Sequence, residues 1–336
     1  MIKALALLSG GLDSTLSVRV ILDQGIEVEA INFVTVFCNC ISKKTGCSAG
    51  KKAAEILGIK LKIVNISQEY LEIVKKPKYG YGRNLNPCID CRIFMLKQAK
   101  NYMAEVKASF VITGEVLGER PMSQRKDAMR IIEREAHLEG LILRPLSAKL
   151  LSPTIPEKEG WVDREKLLSI QGRSRKPQME LASHFGINDY PCPAGGCLLT
   201  DPGFAQRMKD LITYHPDFDL NDVHLLKIGR HLRLLPELKA IVGRNEQENE
   251  KILTLIQDED LIFRLIDFPG PITLLRGKAN QEFEKLTASI TAHYSKAKND
   301  KKVRIGCWRF PEQREEIFWI SPIKEDELKR YQINPS

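Results

Sequence analysis

Six residues near the start of the chain, Ser9-Gly10-Gly11-Leu12-Asp13-Ser14, restrict its fold more than any other stretch. They follow a short apolar run, Ala4–Leu8, and open a helical segment, Ser14–Leu22, so they mark a strand-to-helix junction. Two adjacent glycines let the backbone turn tightly and bring its N–H groups against an anion. The helix N-terminus adds partial positive charge, and the Ser9 and Ser14 hydroxyls add donors. Asp13 puts a carboxylate where Mg²⁺ could bridge it to a phosphate. A plain glycine turn with Ser or Asp as a helix cap would explain part of the pattern, but not six matched residues at the first such junction.

The alternation continues. Strands are predicted at Val28–Phe37, Leu61–Ile66, Phe110–Thr113 and Leu141–Leu143, with helices at Ala49–Leu57, Arg92–Val106 and Ser123–Leu138. That order predicts an α/β fold, a parallel sheet with helices on both faces, whose site lies beyond the carboxyl ends of the strands. The composition shifts later. Val223–Ile228, Lys239–Val242, Phe263–Phe268, Ile272–Leu275, Val303–Cys307 and Ile317–Ile320 read as short strands, and Glu246–Ile256 and Asn280–Ala297 as helices. Gly229-Arg230-His231 and Gly243-Arg244-Asn245 read as turns. The expected organisation is a domain over 1–150, a connecting segment over 151–210 and a smaller α+β domain over 211–336.

No apolar run reaches the roughly 18–20 residues of a membrane span, and Ala4–Leu8 is too short for a signal-peptide core. A cytoplasmic protein without a membrane partner is expected, so the eight cysteines are read as ligands or catalytic thiols rather than disulfides. Cys88 and Cys91 form a CxxC that leads into a helix, where the N-terminus is expected to lower thiol pKa. Cys192 and Cys197 lie in a rigid Pro- and Gly-rich turn, Pro191–Cys197. Three such ligands would leave one position of a metal centre open, whereas four would saturate Zn²⁺ or a cluster. Alternatively, one distal cysteine carries a persulfide and the other resolves it. Cys38, Cys40 and Cys47 read as a second metal site or as a metal-free loop. Cys307, alone in an apolar strand, reads as core.

The net charge of +8 favours a polyanionic partner. Arg120, Arg125 and Lys126 begin one basic run and Arg173, Arg175 and Lys176 form another, both read as RNA contacts. A solvated helix face is the alternative for the first run, since Glu133 and Glu135 partly balance it.

The phosphate loop resembles the signature of the PP-loop, or N-type ATP pyrophosphatase, superfamily with its adenine nucleotide alpha hydrolase-like fold. The resemblance implies that Ser9, Gly10, Gly11, Asp13 and Ser14 hold the pyrophosphate end of ATP, that the backbone around Asn32 and Phe33 holds adenine, and that Gly114 belongs to the same site. Thr113–Gln124 resembles a segment of tRNA 4-thiouridine synthetases, departing at Glu119, where that family has Gln. The Asn-Pro-led CxxC is similar to that of tRNA 2-thiouridylases. Cys88 and Cys91 with Cys197, or Cys192, resemble a three-cysteine [4Fe–4S] site. Together these imply ATP-dependent tRNA thiolation with Asp13, Cys88, Cys192 and Cys197 as catalytic residues. The partners implied are tRNA and a sulfide or persulfide carrier; a homodimer is left open. The C-terminal part resembles the RNA-binding module of NFACT proteins. The rivals are a PP-loop ligase using ammonia or an amine, and an RNA-binding protein with a vestigial nucleotide site.

Overall fold

The computed structural model describes residues 2–38, 41–42, 46–188, 190, 196–312 and 314–333. It divides into two compact units, Met1–Leu198 and Leu199–Ser336.

In the first unit the chain runs β1 (Lys3–Leu7), α1 (Leu12–Leu22), β2 (Glu27–Val34), a short hairpin β3 (Ile41–Ser42) and β4 (Gly46–Cys47), then α2 (Ser48–Leu57) and β5 (Leu61–Asn65). There follow α3 (Ser67–Lys75), α4 (Cys88–Glu105), β6 (Phe110–Thr113), α5 (Lys126–Ala136), β7 (Ile142–Leu143), α6 (Ile155–Lys158) and α7 (Lys176–His184). The sheet order is β5-β2-β1-β6-β7, and every pairing is parallel. Successive side chains of a strand point to opposite faces, which sorts the core. Ala4, Ala6 and Leu8 pack with Val18 and Ile21 of α1 and Ala53 and Leu57 of α2. Leu5 and Leu7 pack with Ile93 and Leu96 of α4 and Ile132 of α5. The α/β reading holds. Strand order reverses direction at β1 and β6, and ligands of such sheets bind at that switch. Residues of 148–185 join the α1 face, with Val162 and Leu167 buried in its core.

The second unit continues with α8 (Pro202–Tyr214), α9 (Leu220–Leu225), β8 (Arg230–Leu235), β9 (Leu238–Val242), α10 (Glu246–Leu253), β10 (Leu261–Leu265), β11 (Thr273–Arg276), α11 (Gln281–His293), β12 (Val303–Arg309), β13 (Glu316–Ile320) and α12 (Glu325–Leu328). Its antiparallel sheet has the order β13-β12-β10-β11-β9-β8. The strand predicted at Val223–Ile228 is instead the end of α9 and a turn, and the predicted turn Gly229–His231 runs into β8. The apolar run there misled. Asp219 caps α9, its side chain accepting from the Asp222 N–H at 3.1 Å while Asp222 returns the bond to the Asp219 N–H. Two donors satisfied in this way fix a helix start. Among the described residues no helix is long and apolar enough to cross a membrane.

Candidate functional site

The phosphate loop is shaped by contacts that only glycine permits. Gly10 has φ +80°, and a Cβ there would stand 2.2 Å from the Ala49 carbonyl carbon. Gly114, just past β6, is equally confined: its Cβ would lie 2.4 Å from the Ser14 nitrogen. The loop after β1 is therefore pressed against the start of α2, and the start of α1 against the residue that follows β6. Gly114→Ala is expected to cost about 1–3 kcal/mol by overpacking and to weaken nucleotide binding, measured by denaturant unfolding and ATP titration; an unaltered variant would mean that the loop moves aside. Gly11 caps α1 with extended backbone and no side-chain bond, so the first-turn N–H groups have no side-chain cap. The Ser9 and Ser14 hydroxyls lie 3.1 Å apart, and Ser14 also donates to the Gly11 carbonyl at 2.9 Å. Asn32 and Phe33 lie within β2 rather than after it; Asn32 is buried and donates to the Leu8 carbonyl at 2.5 Å, pinning the strand end that precedes the loop.

Asp13 is the chemically exposed point of this structure. Burial pushes its carboxyl above the usual range, opposed by the charges of Arg175 and Arg120 and by the neighbouring Gln178 amide. One Asp13 oxygen, Oδ1, is buried without a hydrogen-bond partner. Gln178 on α7 is fully buried, and among the described residues its amide has no partner of good hydrogen-bond geometry, with Asp13 the group nearest to giving one. Orphaned buried polar atoms are costly, and their clustering beside the loop fits a polar ligand. Glu119 faces the same place: burial and the Asp13 charge raise its carboxyl, against Arg120, Arg175 and Arg92. Gln178 and Glu119 were missed as site residues, although both lie within stretches that the sequence singles out.

Glu115 has a different role from its neighbour Gly114. It is 1% exposed and receives Arg144 Nε at 2.9 Å, with Arg92 at 3.5 Å. Burial alone would raise its carboxyl, but Arg144 and Arg92 hold it below the usual range. Gln124 is also structural, its side chain accepting from the Arg120 N–H at 2.9 Å.

The CxxC opens α4, one turn earlier than predicted, with Pro87 as its cap and Cys91 N–H donating to the Pro87 carbonyl at 2.8 Å. The expected fall in thiol pKa is not found. Burial pushes both Cys88 and Cys91 up, more than Arg120 and Arg92 pull Cys88 down or Tyr70 and Arg92 pull Cys91 down. Arg120 therefore lies in the field of both Asp13 and Cys88, which brings the phosphate loop and the CxxC into one neighbourhood. Cys197 is cross-strand to Cys38 in an antiparallel bridge. Cys40 and Cys192 lie outside the described residues, as does the side chain of Cys47. The proposed trio of Cys38, Cys40 and Cys47 is thus represented by Cys38 alone, which is directed to Cys197. Cys307 is buried core, as expected. Among the described residues no three His, Cys, Asp or Glu side chains are spaced to hold a single metal ion.

Of the basic candidates, Arg120 and Arg175 belong to the Asp13 cleft. Arg125, Lys126, Arg173 and Lys176 are exposed, and Lys126 also lines a cavity of about 260 Å³ between α5 and residues 140–157, which contains no residue of the phosphate loop.

Residues 2–149 match the family described as thiamine biosynthesis protein (ThiI). Residues 229–332 match the NFACT protein RNA binding domain. The tRNA-specific 2-thiouridylase MnmA of Sulfurimonas denitrificans is 32% identical over 119 residues, 34% of this chain and 35% of that protein. A probable tRNA sulfurtransferase of Ureaplasma urealyticum is 32% identical over 150 residues, 43% of this chain and 36% of that one. The matched region thus spans little more than a third of the length of these relatives. Among solved structures, the chain is similar to the U34-tRNA thiolase NcsA from Methanococcus maripaludis with its [4Fe-4S] cluster, with TM-score 0.31, 19% identity, and coverage of 67% and 70% of the two chains. A 4-thiouridine synthetase–RNA complex with bound ATP gives TM-score 0.36, 20% identity, and 66% and 52% coverage. Both likenesses are too distant to bear on the chemistry.

Proposed function

We propose that this chain is an ATP-dependent tRNA sulfurtransferase of the pyrophosphatase type. The observation that carries the reading is the nearness of the phosphate loop to the CxxC, with Arg120 acting on both Asp13 and Cys88. The triphosphate end of ATP would lie on the N–H groups of the first turn of α1, with the Ser9 and Ser14 hydroxyls turned toward it. Arg175 and Arg120 would neutralise phosphate oxygens, a more local task than gripping RNA. Asp13 Oδ1, with Glu119 beside it, fits Mg²⁺, which would supply charge neutralisation as pyrophosphate leaves. A uridine carbonyl oxygen attacks the α-phosphate and releases pyrophosphate; a sulfur nucleophile then adds to the activated carbon, and AMP departs with the original oxygen. Cys88 and Cys91 with Cys197, or Cys192, would hold a [4Fe–4S] cluster, supplying an iron with an open position for sulfide. The sulfur donor would be sulfide or a persulfide carrier. The test is anaerobic incubation of the full chain with tRNA, ATP and sulfide. One thiouridine, one AMP and one pyrophosphate are expected per turnover; ADP and phosphate as products would overturn the reading.

The basic charge has an uneven distribution that bears on the tRNA. Residues 1–198 carry 29 Lys and Arg against 21 Asp and Glu, while residues 199–336 carry 22 of each, so the whole excess of +8 lies in the first unit. In the second unit Arg233, Arg244, Arg264, Arg276, Arg304 and Arg309 are held in ion pairs. Its RNA grip would instead come from the exposed lysines 296, 298, 301 and 302 and from Trp319, which is 65% exposed on β13 with Arg304 5.7 Å from its ring. An aromatic face beside a basic loop suits unstacked bases. Trp319→Ala is expected to weaken tRNA binding about 5- to 100-fold, read by filter binding, with Trp319→Phe retaining most of the affinity. Unchanged binding by Trp319→Ala would move the RNA contact elsewhere.

A further inference from the structure

Several thiols gather at one buried tyrosine. Tyr70 on α3 is 1% exposed, and its hydroxyl has no oxygen or nitrogen partner among the described residues. What surrounds it is sulfur. The Cys91 thiol is its hydrogen-bond partner, and Cys197 and Cys88 lie within electrostatic reach. Cys38 reaches the same place from the turn after β2. Its sulfur accepts from the Thr35 N–H at 3.3 Å, and the Leu198 N–H donates to the Phe37 carbonyl at 2.9 Å. These bonds set Cys38 opposite Cys197 in the antiparallel bridge. The Phe37 ring, next to Cys38 in sequence, meets Tyr70 edge-on at 5.9 Å.

We propose that Cys38 stands beside the three-ligand site of Cys88, Cys91 and Cys197 as a non-ligating thiol paired with Cys197, and that the Tyr70 hydroxyl donates to sulfur held there. The ligand class is sulfur-seeking: a polynuclear iron–sulfide centre or the sulfur it carries. A buried hydroxyl without an oxygen or nitrogen partner is costly, and sulfur is an acceptor that a packed thiol site can offer it. Facing residues of an antiparallel pair have Cα atoms about 4.5–5.5 Å apart, within the disulfide range. Two-electron oxidation by oxidised glutathione would therefore join Cys38 to Cys197, release two molecules of glutathione and withdraw Cys197 from the CxxC. The assignment builds on the three-cysteine reading but requires neither ATP nor tRNA for its test.

The experiment uses the metal-free full chain, prepared anaerobically, and the same protein loaded with iron and sulfide. Oxidised glutathione followed by peptide mapping should give a Cys38–Cys197 disulfide that dithiothreitol reverses and that Cys38→Ser lacks. Loading should slow iodoacetamide labelling of Cys38 at least tenfold, together with that of Cys88, Cys91 and Cys197. Tyr70→Phe, which removes only the hydroxyl, should lower the reduction potential of the loaded centre, since hydrogen bonds to sulfur tune it. Linkage of Cys38 to another cysteine, together with undiminished labelling in the loaded protein, would remove it from the site. Shielding of Cys88, Cys91 and Cys197 in that same sample would leave the three-ligand reading intact. An unchanged potential in Tyr70→Phe would remove the tyrosine.

Discussion

Asp13→Asn is expected to lose ATP turnover by about 10²- to 10³-fold while folding as well as the parent or better. The reason is its position. Its carboxyl is driven up by burial, one oxygen has no partner, and the nearest relief comes from Arg175, Gln178 and Arg120. A charge held there without full compensation serves a ligand at the expense of the fold. The sign of the pH dependence follows. With the folded pKa raised, the unfolded chain releases its proton first, so this group's stability contribution is fully present below about 3.9. It is lost as pH rises through the folded value. The parent should therefore lose ground to Asp13→Asn between acid and neutral pH. Release of AMP and pyrophosphate, with thermal melts at pH 5 and 8, measures both effects. A variant that still releases AMP, or that melts below the parent at pH 8, would make Asp13 a structural residue.

Arg144→Ala is expected to destabilise the first unit by about 3–5 kcal/mol, because it leaves Glu115 as a buried, weakly compensated charge. Arg144 is 4% exposed, binds Glu115 at 2.9 Å and also pairs with Glu133. For a unit of this size the loss corresponds to roughly 6–20 °C in melting temperature. The double variant Glu115→Gln with Arg144→Met should recover most of it, since removing both charges also removes the desolvation penalty. In the parent the lowered Glu115 pKa gives stability that is present above about 4.3 and lost as pH falls through the folded value. In Arg144→Ala that contribution disappears, so the gap between the two proteins should narrow on acidification. Denaturant unfolding at pH 7 and at about pH 3, below the unfolded value, reads this. A single-variant loss below about 1 kcal/mol would show that Glu115 finds relief from Arg92 alone.

What was legible in the sequence was local. The Gly-Gly turn, the alternation of short apolar runs with helical segments, and the CxxC at a helix start each depend on residues within one or two turns of one another. They gave the α/β order and the place of the phosphate loop. Local reading failed where a short-range competitor was overlooked, as at Asp219 and Asp222, whose reciprocal capping turned an apolar run into the end of α9. It also failed for the thiols: a helix N-terminus is visible in sequence, but the burial that outweighs it at Cys88 and Cys91 is not.

By itself, then, the sequence determined the loop that takes an anion, the sheet that carries it, and the presence of paired thiols in the same chain. Only the tertiary structure decided which distant residues share that loop's cleft. It brought Gln178 from α7 beside Asp13, buried Glu115 against Arg144, and set Cys38 opposite Cys197 and near Tyr70. Burial and side-chain convergence are properties of packing between residues 29 to 165 positions apart in the chain. Sequence spacing carries the periods of single helices and strands, and those periods say which face is apolar but not which neighbour will cover it.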